Sequence, residues 1–169
     1  AALFNHTDTV KALIAAGADI EHQTTAGHTA LIAAAGSGHT DTVKALIAAG
    51  AKIEHQDTDG DTALTLAALF NHTDTVKALI AAGANIDHQT TGGHTALITA
   101  AVSIHTDTVK ALIAAGANIE HQNTNSKTAL ILAAQFGHTD TVLALTAAGA
   151  NIEHHDTEGD TALTLAALT

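Results

Sequence analysis

Thirteen of the 169 residues are histidine, the side chain most often used as a metal ligand or as a general base near neutral pH. Ten of them form two series, His6, His39, His72, His105 and His138, and His22, His55, His88, His121 and His154, each with a step of 33 residues. Stacked helices lie about 10 Å apart, whereas zinc–nitrogen bonds are about 2 Å long, so successive members of a series cannot share a metal. Both series therefore read as structural hydrogen-bonding groups at loops. His154-His155, beside Asp156, is the best local set for an adventitious metal. Asp57-x-Asp59-Gly60-Asp61 has the 1, 3, 5 oxygen spacing of a calcium loop. Its glycine falls at position 4 instead of 6, and Ala68 occupies position 12, where a bidentate Glu is required. Asp156-x-Glu158-Gly159-Asp160 fails in the same way, and both read as acidic β-turns. Ser37, Ser103 and Ser126 fall at scattered places, with no nucleophile elbow, phosphate loop or H-E-x-x-H motif. No catalytic residue, metal site or cofactor is expected. Asn5-His6-Thr7 and Asn71-His72-Thr73 have glycosylation spacing, but the repeat itself dictates the His-Thr pair.

Composition narrows the partners. Seventeen acids face six bases, all Lys, for a net charge of −11. A general nucleic-acid binder needs a surplus of Lys or Arg to displace counterions, so none is expected here. No stretch approaches the roughly 20 apolar residues of a membrane span. There is no Cys for a disulfide, a thiolate nucleophile or a zinc site. Together with the lack of a visible targeting segment, this points to a cytoplasmic setting. Met, Trp, Tyr, Pro and Arg are also absent, which marks a low-diversity repeat, natural or engineered.

The elements that position these residues follow from the period. His-Thr-Asp-Thr-Val starts at each member of the first histidine series. Thr-Ala-Leu starts at Thr29, Thr62, Thr95, Thr128 and Thr161, and Gly-Ala at Gly17, Gly50, Gly83, Gly116 and Gly149. In the unit 56–88, Asp57 to Asp61 predicts a turn. Thr62 predicts an N-cap for a short helix over Ala63 to Phe70, and Asn71 tolerates the left-handed conformation that would end it. Thr73 is expected to cap a second helix, with Asp74 near its positive end. Val76, Leu79 and Ile80 give that helix one apolar face, and Gly83 ends it. Such short helices are unstable alone, so stability must come from stacking neighbouring units. The expected organisation is one array over 1–169, with partial units at 1–22 and 155–169 and full units at 23–55, 56–88, 89–121 and 122–154.

A turn followed by two helices every 33 residues resembles the ankyrin repeat. Asp57, Gly60, Thr62, Leu64, Ala67, Ala68, His72, Val76, Leu79, Gly83 and Ala84 match the family pattern within one unit, and the resemblance spans the whole chain. It implies an all-α solenoid of helix-turn-helix units joined by short β-turn or hairpin connections. Departures are consistent from unit to unit. The family's Pro is Ala30, Ala63, Ala96, Ala129 or Ala162, and its following His is Ile32, Thr65, Ile98, Ile131 or Thr164. The ties between repeats that this His normally makes must then be replaced, and packing of Ile or Thr is the expected substitute. The glycine between helices is kept at Gly38 and Gly137 and replaced by Asn5 and Asn71. At Ile104 a β-branched residue takes its place, so an altered helix end is expected there. Ala1 and Thr169 correspond to Ala67 and Phe70, positions within a first helix.

The resemblance implies a non-enzymatic protein–protein interaction scaffold that binds on the concave face made by the turn tips and the first helices. The tip positions are Thr25, Ala26 and His28; Thr58, Asp59 and Asp61; Thr91, Gly92 and His94; Thr124, Asn125 and Lys127; and Thr157, Glu158 and Asp160. The helix positions are Gly36-Ser37, Leu69-Phe70, Val102-Ser103 and Gln135-Phe136. Phe70 and Phe136 are expected as apolar anchors, and the acidic tips favour a partner patch rich in Lys or Arg. Two other readings fit the same residues: an engineered or idealised array with no natural ligand, or a structural element associating end to end through uncapped half-repeats.

Overall fold

A computed structural model describes residues 6–168. Its contacts divide into two compact units, Ala1–Asn85 and Ile86–Thr169. The first holds α1 (Thr7–Ala15), α2 (Ala30–Gly36), α3 (Thr40–Ala48), α4 (Ala63–Leu69) and α5 (Thr73–Ala81). The second holds α6 (Ala96–Val102), α7 (Thr106–Ala114), α8 (Ala129–Gln135), α9 (Thr139–Ala147) and α10 (Ala162–Leu168). Among the described residues there is no strand, and the one β pairing is an isolated antiparallel bridge between His155 and Thr161. The fold is an all-α helical repeat. The expectations placed on Ala1, Asn5 and Thr169 lie outside the described residues.

Within the first unit the seven-residue helices α2 and α4 pack on each other, the nine-residue helices α1, α3 and α5 form a second row, and α2–α3 and α4–α5 join the rows. The second unit repeats this with α6, α8 and α10 against α7 and α9. Between the rows lie Leu31, Ile32, Val43, Leu46, Leu64, Val76 and Leu79 in the first unit, and Leu97, Ile98, Val109, Leu112, Leu130, Ile131 and Leu145 in the second, all buried. Buried alanines such as Ala34, Ala67, Ala68, Ala100 and Ala133 let the short helices approach closely. Ile80, expected on the apolar face of α5, is only half-buried.

Capping explains where the short helices begin. Thr29, Thr62, Thr95 and Thr128 are N-caps whose hydroxyls accept from the amides of Ile32, Thr65, Ile98 and Ile131, each at 3.4 Å. Each such cap contributes about 1 kcal/mol. Thr65 does more than pack. Its Oγ1 accepts from the Thr62 amide at 2.8 Å, closing a capping box, and Thr164 does the same for Thr161 at 2.9 Å. Ile32, Ile98 and Ile131 at the equivalent place fill core instead.

The expected cap at Thr73 is corrected. His72 is the N-cap of α5, without a side-chain cap bond, and Thr73 is the first helical residue. The same holds for His39 and Thr40, His105 and Thr106, and His138 and Thr139. The threonine hydroxyls instead bond across repeats: Thr7 to Thr42 and Thr40 to Thr75 at 2.7 Å, and Thr106 to Thr141 at 2.8 Å. Asp74 does lie in the first turn, where its charge opposes the helix dipole. Helix α4 stops at Leu69, with Phe70 as its C-cap.

Several ladders tie repeat to repeat where the family's histidine is missing. Glu21 Oε1 accepts the Lys52 amide at 2.9 Å, and Glu54 Oε1 the Asn85 amide at 2.9 Å. In the second unit Asp87 Oδ1 accepts from Asn118 at 2.9 Å, and Glu120 Oε1 from Asn151 at 2.8 Å. The histidines add to this. His55 Nε2 meets Gly27 O at 3.2 Å, His154 Nε2 meets Ser126 O at 2.8 Å, and His72 Nε2 meets Gly36 O at 3.1 Å. Because a carbonyl only accepts, each of these ring nitrogens carries its proton. His121 is an exception; its Nε2 is buried without a hydrogen-bond partner among the described residues.

Asn71 (φ 60°), Gly38 (φ 70°), Gly137 (φ 69°) and Ile104 (φ 63°) are all left-handed at the same place in the repeat. Helix α6 has the same length as its counterparts. Among the described residues, however, the Ser103 and Ile104 amides do not make the closing bonds that Phe136 and Gly137 make to Leu132 and Ala134.

Candidate interaction surface

Each turn tip is built by one polar residue at its start. Asp57 Oδ1 accepts from the amides of Asp59 and Asp61, both at 2.9 Å. Asn123 Oδ1 accepts from Asn125 and Lys127 at 3.0 Å. Asp156 Oδ1 accepts from Glu158 at 2.9 Å and Asp160 at 3.0 Å. Thr24 and Thr90 play a smaller version of the part, accepting from His28 at 3.2 Å and His94 at 3.3 Å. Neighbouring tips then join through backbone. Thr58 N donates to Ala26 O at 3.2 Å, Thr124 N to Gly92 O at 3.4 Å, and Thr157 N to Asn125 O at 3.3 Å. The approach is close: a Cβ on Gly27 would lie 3.0 Å from Asp57 Cα, and one on Gly93 3.0 Å from Thr124 N.

The second oxygen or nitrogen of that turn residue reaches back to the preceding repeat. Asp57 Oδ2 lies 3.2 Å from His28 Nε2. Asn123 Nδ2 lies 3.1 Å from His94 Nε2, which accepts from it. Asp156 Oδ2 lies 3.6 Å from Lys127 Nζ, and that ammonium also donates to Gln135 Oε1 at 2.9 Å. Burial pushes the Asp156 carboxyl up, but the Asp160 and Glu158 amides and the Lys127 charge outweigh it and hold the group below its ordinary range. His28, His94, Lys127 and Gln135 thus have partners inside the fold, which the sequence reading did not foresee. Its signal was there: the position reads Thr24, Asp57, Thr90, Asn123, Asp156, an acceptor every time.

Exposed at the tips are Thr25 and Ala26, Thr58 and Asp59, Thr91 and Gly92, Thr124 and Asn125, and Thr157 and Glu158, with the Thr58 and Thr124 hydroxyls donating back to Ala26 O and Gly92 O at 3.3 Å. Asp61 and Asp160 are half-buried, as are Gly36, Ser37, Leu69, Val102 and Ser103 at the far ends of the short helices. Phe70 is 54% exposed and Phe136 53%. Their rings lie beside histidines: Phe70 centres 6.5 Å from His72, and Phe136 stacks 5.9 Å from His138. A seven-residue helix, about 10 Å long, separates each phenylalanine from its own tip. Within each unit the expected contact residues therefore form two patches, a tip edge and a helix-end edge.

Two concavities accompany these edges in the second unit. One, of about 430 Å³, lies among α8, α9 and α10 and is lined by Leu130, Val142, Ile152, Leu163 and Glu153 among others. Another, of about 330 Å³, lies at the helix-end edge between Ile104 and Phe136. Among the described residues no three His, Asp or Glu side chains are grouped to hold a metal. His154, with His155 stacked 6.2 Å away, directs Nε2 at a carbonyl instead. No described helix is long and apolar enough to cross a membrane.

The family model for ankyrin repeats (3 copies) matches residues 1–90, 49–123 and 100–169. No curated protein matches the chain.

Proposed function

From the premise that the chain belongs to the ankyrin-repeat family, whose members are generally non-enzymatic protein–protein interaction modules, we propose that it is a scaffold that binds a protein partner along its tip and helix-end edges. One observation carries this reading. The residues that hold each tip in place are internally bonded, while the exposed pairs above them change from Thr-Ala to Thr-Asp, Thr-Gly, Thr-Asn and Thr-Glu. A fixed frame with interchangeable outward groups suits modular recognition. Asp59 and Glu158 bias it toward a basic partner surface, and Phe70 and Phe136 supply the large, rigid apolar area that anchors interfaces.

The test is selection of binders from a displayed random peptide library against the intact chain. Winners rich in Lys or Arg are expected to lose at least tenfold in affinity for a variant carrying Asp59→Ser and Glu158→Ser, or for one carrying Phe70→Ala and Phe136→Ala. Peptides that bind both variants as tightly as the parent would overturn the reading.

A further inference from the structure

The helix-end edge differs between the two units at several residues, among them Gly36 and Gly38 in the first against Val102 and Ile104 in the second. In the first unit Gly38 leaves room for the His72 ring, since a Cβ at Gly38 would collide with it, and His72 bonds Gly36 O through Nε2. In the second unit the equivalent residue is Ile104, and the equivalent histidine has turned. His138 bonds Ala101 O through Nδ1 at 2.8 Å. A nitrogen facing a carbonyl must donate, so Nδ1 carries the proton and the neutral ring keeps Nε2 as an acceptor. Ile104 is 66% exposed in a left-handed conformation that strains a β-branched residue. It neither fills core nor closes α6. With Phe136 it walls the cleft of about 330 Å³, which His138, Asp140 and three threonines also line.

We propose that this cleft is the specific anchor site of the second unit, and that it takes an aliphatic or aromatic side chain flanked by Lys or Arg from a protein partner. Ile104 and Phe136 grip the apolar group. Asp140, the one carboxylate lining the cleft, attracts the flanking cation, and Nε2 of His138 accepts a hydrogen bond from it. The strained residue is retained for its contact area, and glycine or asparagine at that place would leave the cleft without one wall. The inference rests on the interaction-scaffold reading above and names its partner chemistry.

The test uses the same displayed library on the intact chain, with winners measured by fluorescence anisotropy. Peptides carrying a large apolar residue between Lys or Arg are expected to weaken at least tenfold on Ile104→Asn and on Phe136→Ser, but not on Phe70→Ser. Ile104→Asn keeps the fold, because Asn71 already occupies the equivalent left-handed position; its Tm should rise by about 3 °C. Peptides that weaken on Asp59→Ser with Glu158→Ser yet ignore Ile104→Asn would remove the cleft and leave the scaffold reading standing. A library that yields no binder would remove both. A fall in Tm for Ile104→Asn would overturn the argument from strain.

Discussion

At the scale of single residues, the turn position shows how one side chain can serve both a repeat and its neighbour. Asp156 accepts two amides with one oxygen and faces Lys127 with the other. Its carboxyl sits below the ordinary range, so the ionised form is favoured by folding. The stability this gives is present above the unfolded-state value near 3.9 and is lost as pH falls through the lower folded value. A Tm series from pH 5 to 2 should therefore lose part of its acid-side slope in Asp156→Asn. That variant keeps the accepting oxygen, as Asn123 does naturally. Asp156→Ala should cost about 1–3 kcal/mol at pH 7, because two amides lose their acceptor. Ser126, left-handed at φ 56° where Gly27, Gly93 and Gly159 stand in other repeats, should give the opposite sign. Ser126→Gly is expected to stabilise by about 1 kcal/mol, read from denaturant midpoints. The recurring acceptor at this place was legible beforehand, but its second partner was not. The sequence displays an Asp, an Asn or a Ser, and only the stacking of one turn on the next says which oxygen has a second partner.

At the scale of elements, the sequence was far more informative. The 33-residue spacing, the Thr N-caps and the Gly or Asn helix ends were all readable, because each is a local backbone requirement. The start of the second helices was misjudged by one residue for a reason that is not local. Thr73 has the chemistry of an N-cap, but the matching Thr40 and Thr106 hydroxyls are engaged by threonines one repeat on, and the histidine before takes the cap position. The capping box at Thr62 and Thr65 predicts that Thr65→Val, near in volume, costs about 1 kcal/mol as measured by chemical denaturation. The close passage of adjacent tips predicts a larger penalty for Gly27→Ala. Its left-handed φ of 78° and the 3.0 Å approach to Asp57 Cα should together cost about 2 kcal/mol, a fall of roughly 4–8 °C in Tm.

At the scale of the whole molecule, charge is the property that a partner meets first. With 17 acids against six lysines, association with a basic peptide should slow and weaken between 50 and 300 mM salt, since the screening length of exposed charges falls from about 14 Å to about 6 Å over that range. A salt-independent on-rate would argue that the acidic tips take no part. The family and its repeat architecture were legible across the full length, because period survives any change in the outward residues. The partner surface was legible only as a set of variable positions. Which of those face outward, and which are tied into the next turn, depended on side chains such as His28 and Lys127 finding carboxylates 29 residues away.

The carboxylate-to-amide rungs from Glu21, Glu54, Asp87 and Glu120 have a mechanical consequence. Each rung joins only adjacent repeats, so a tether pulling on one terminus loads the outermost rung before any other. Rupture of that rung frees a single repeat and passes the load inward. Stretching at constant speed should therefore give a sawtooth in which every tooth releases 33 residues, about 110 Å of contour. The protein would yield as an extensible spring.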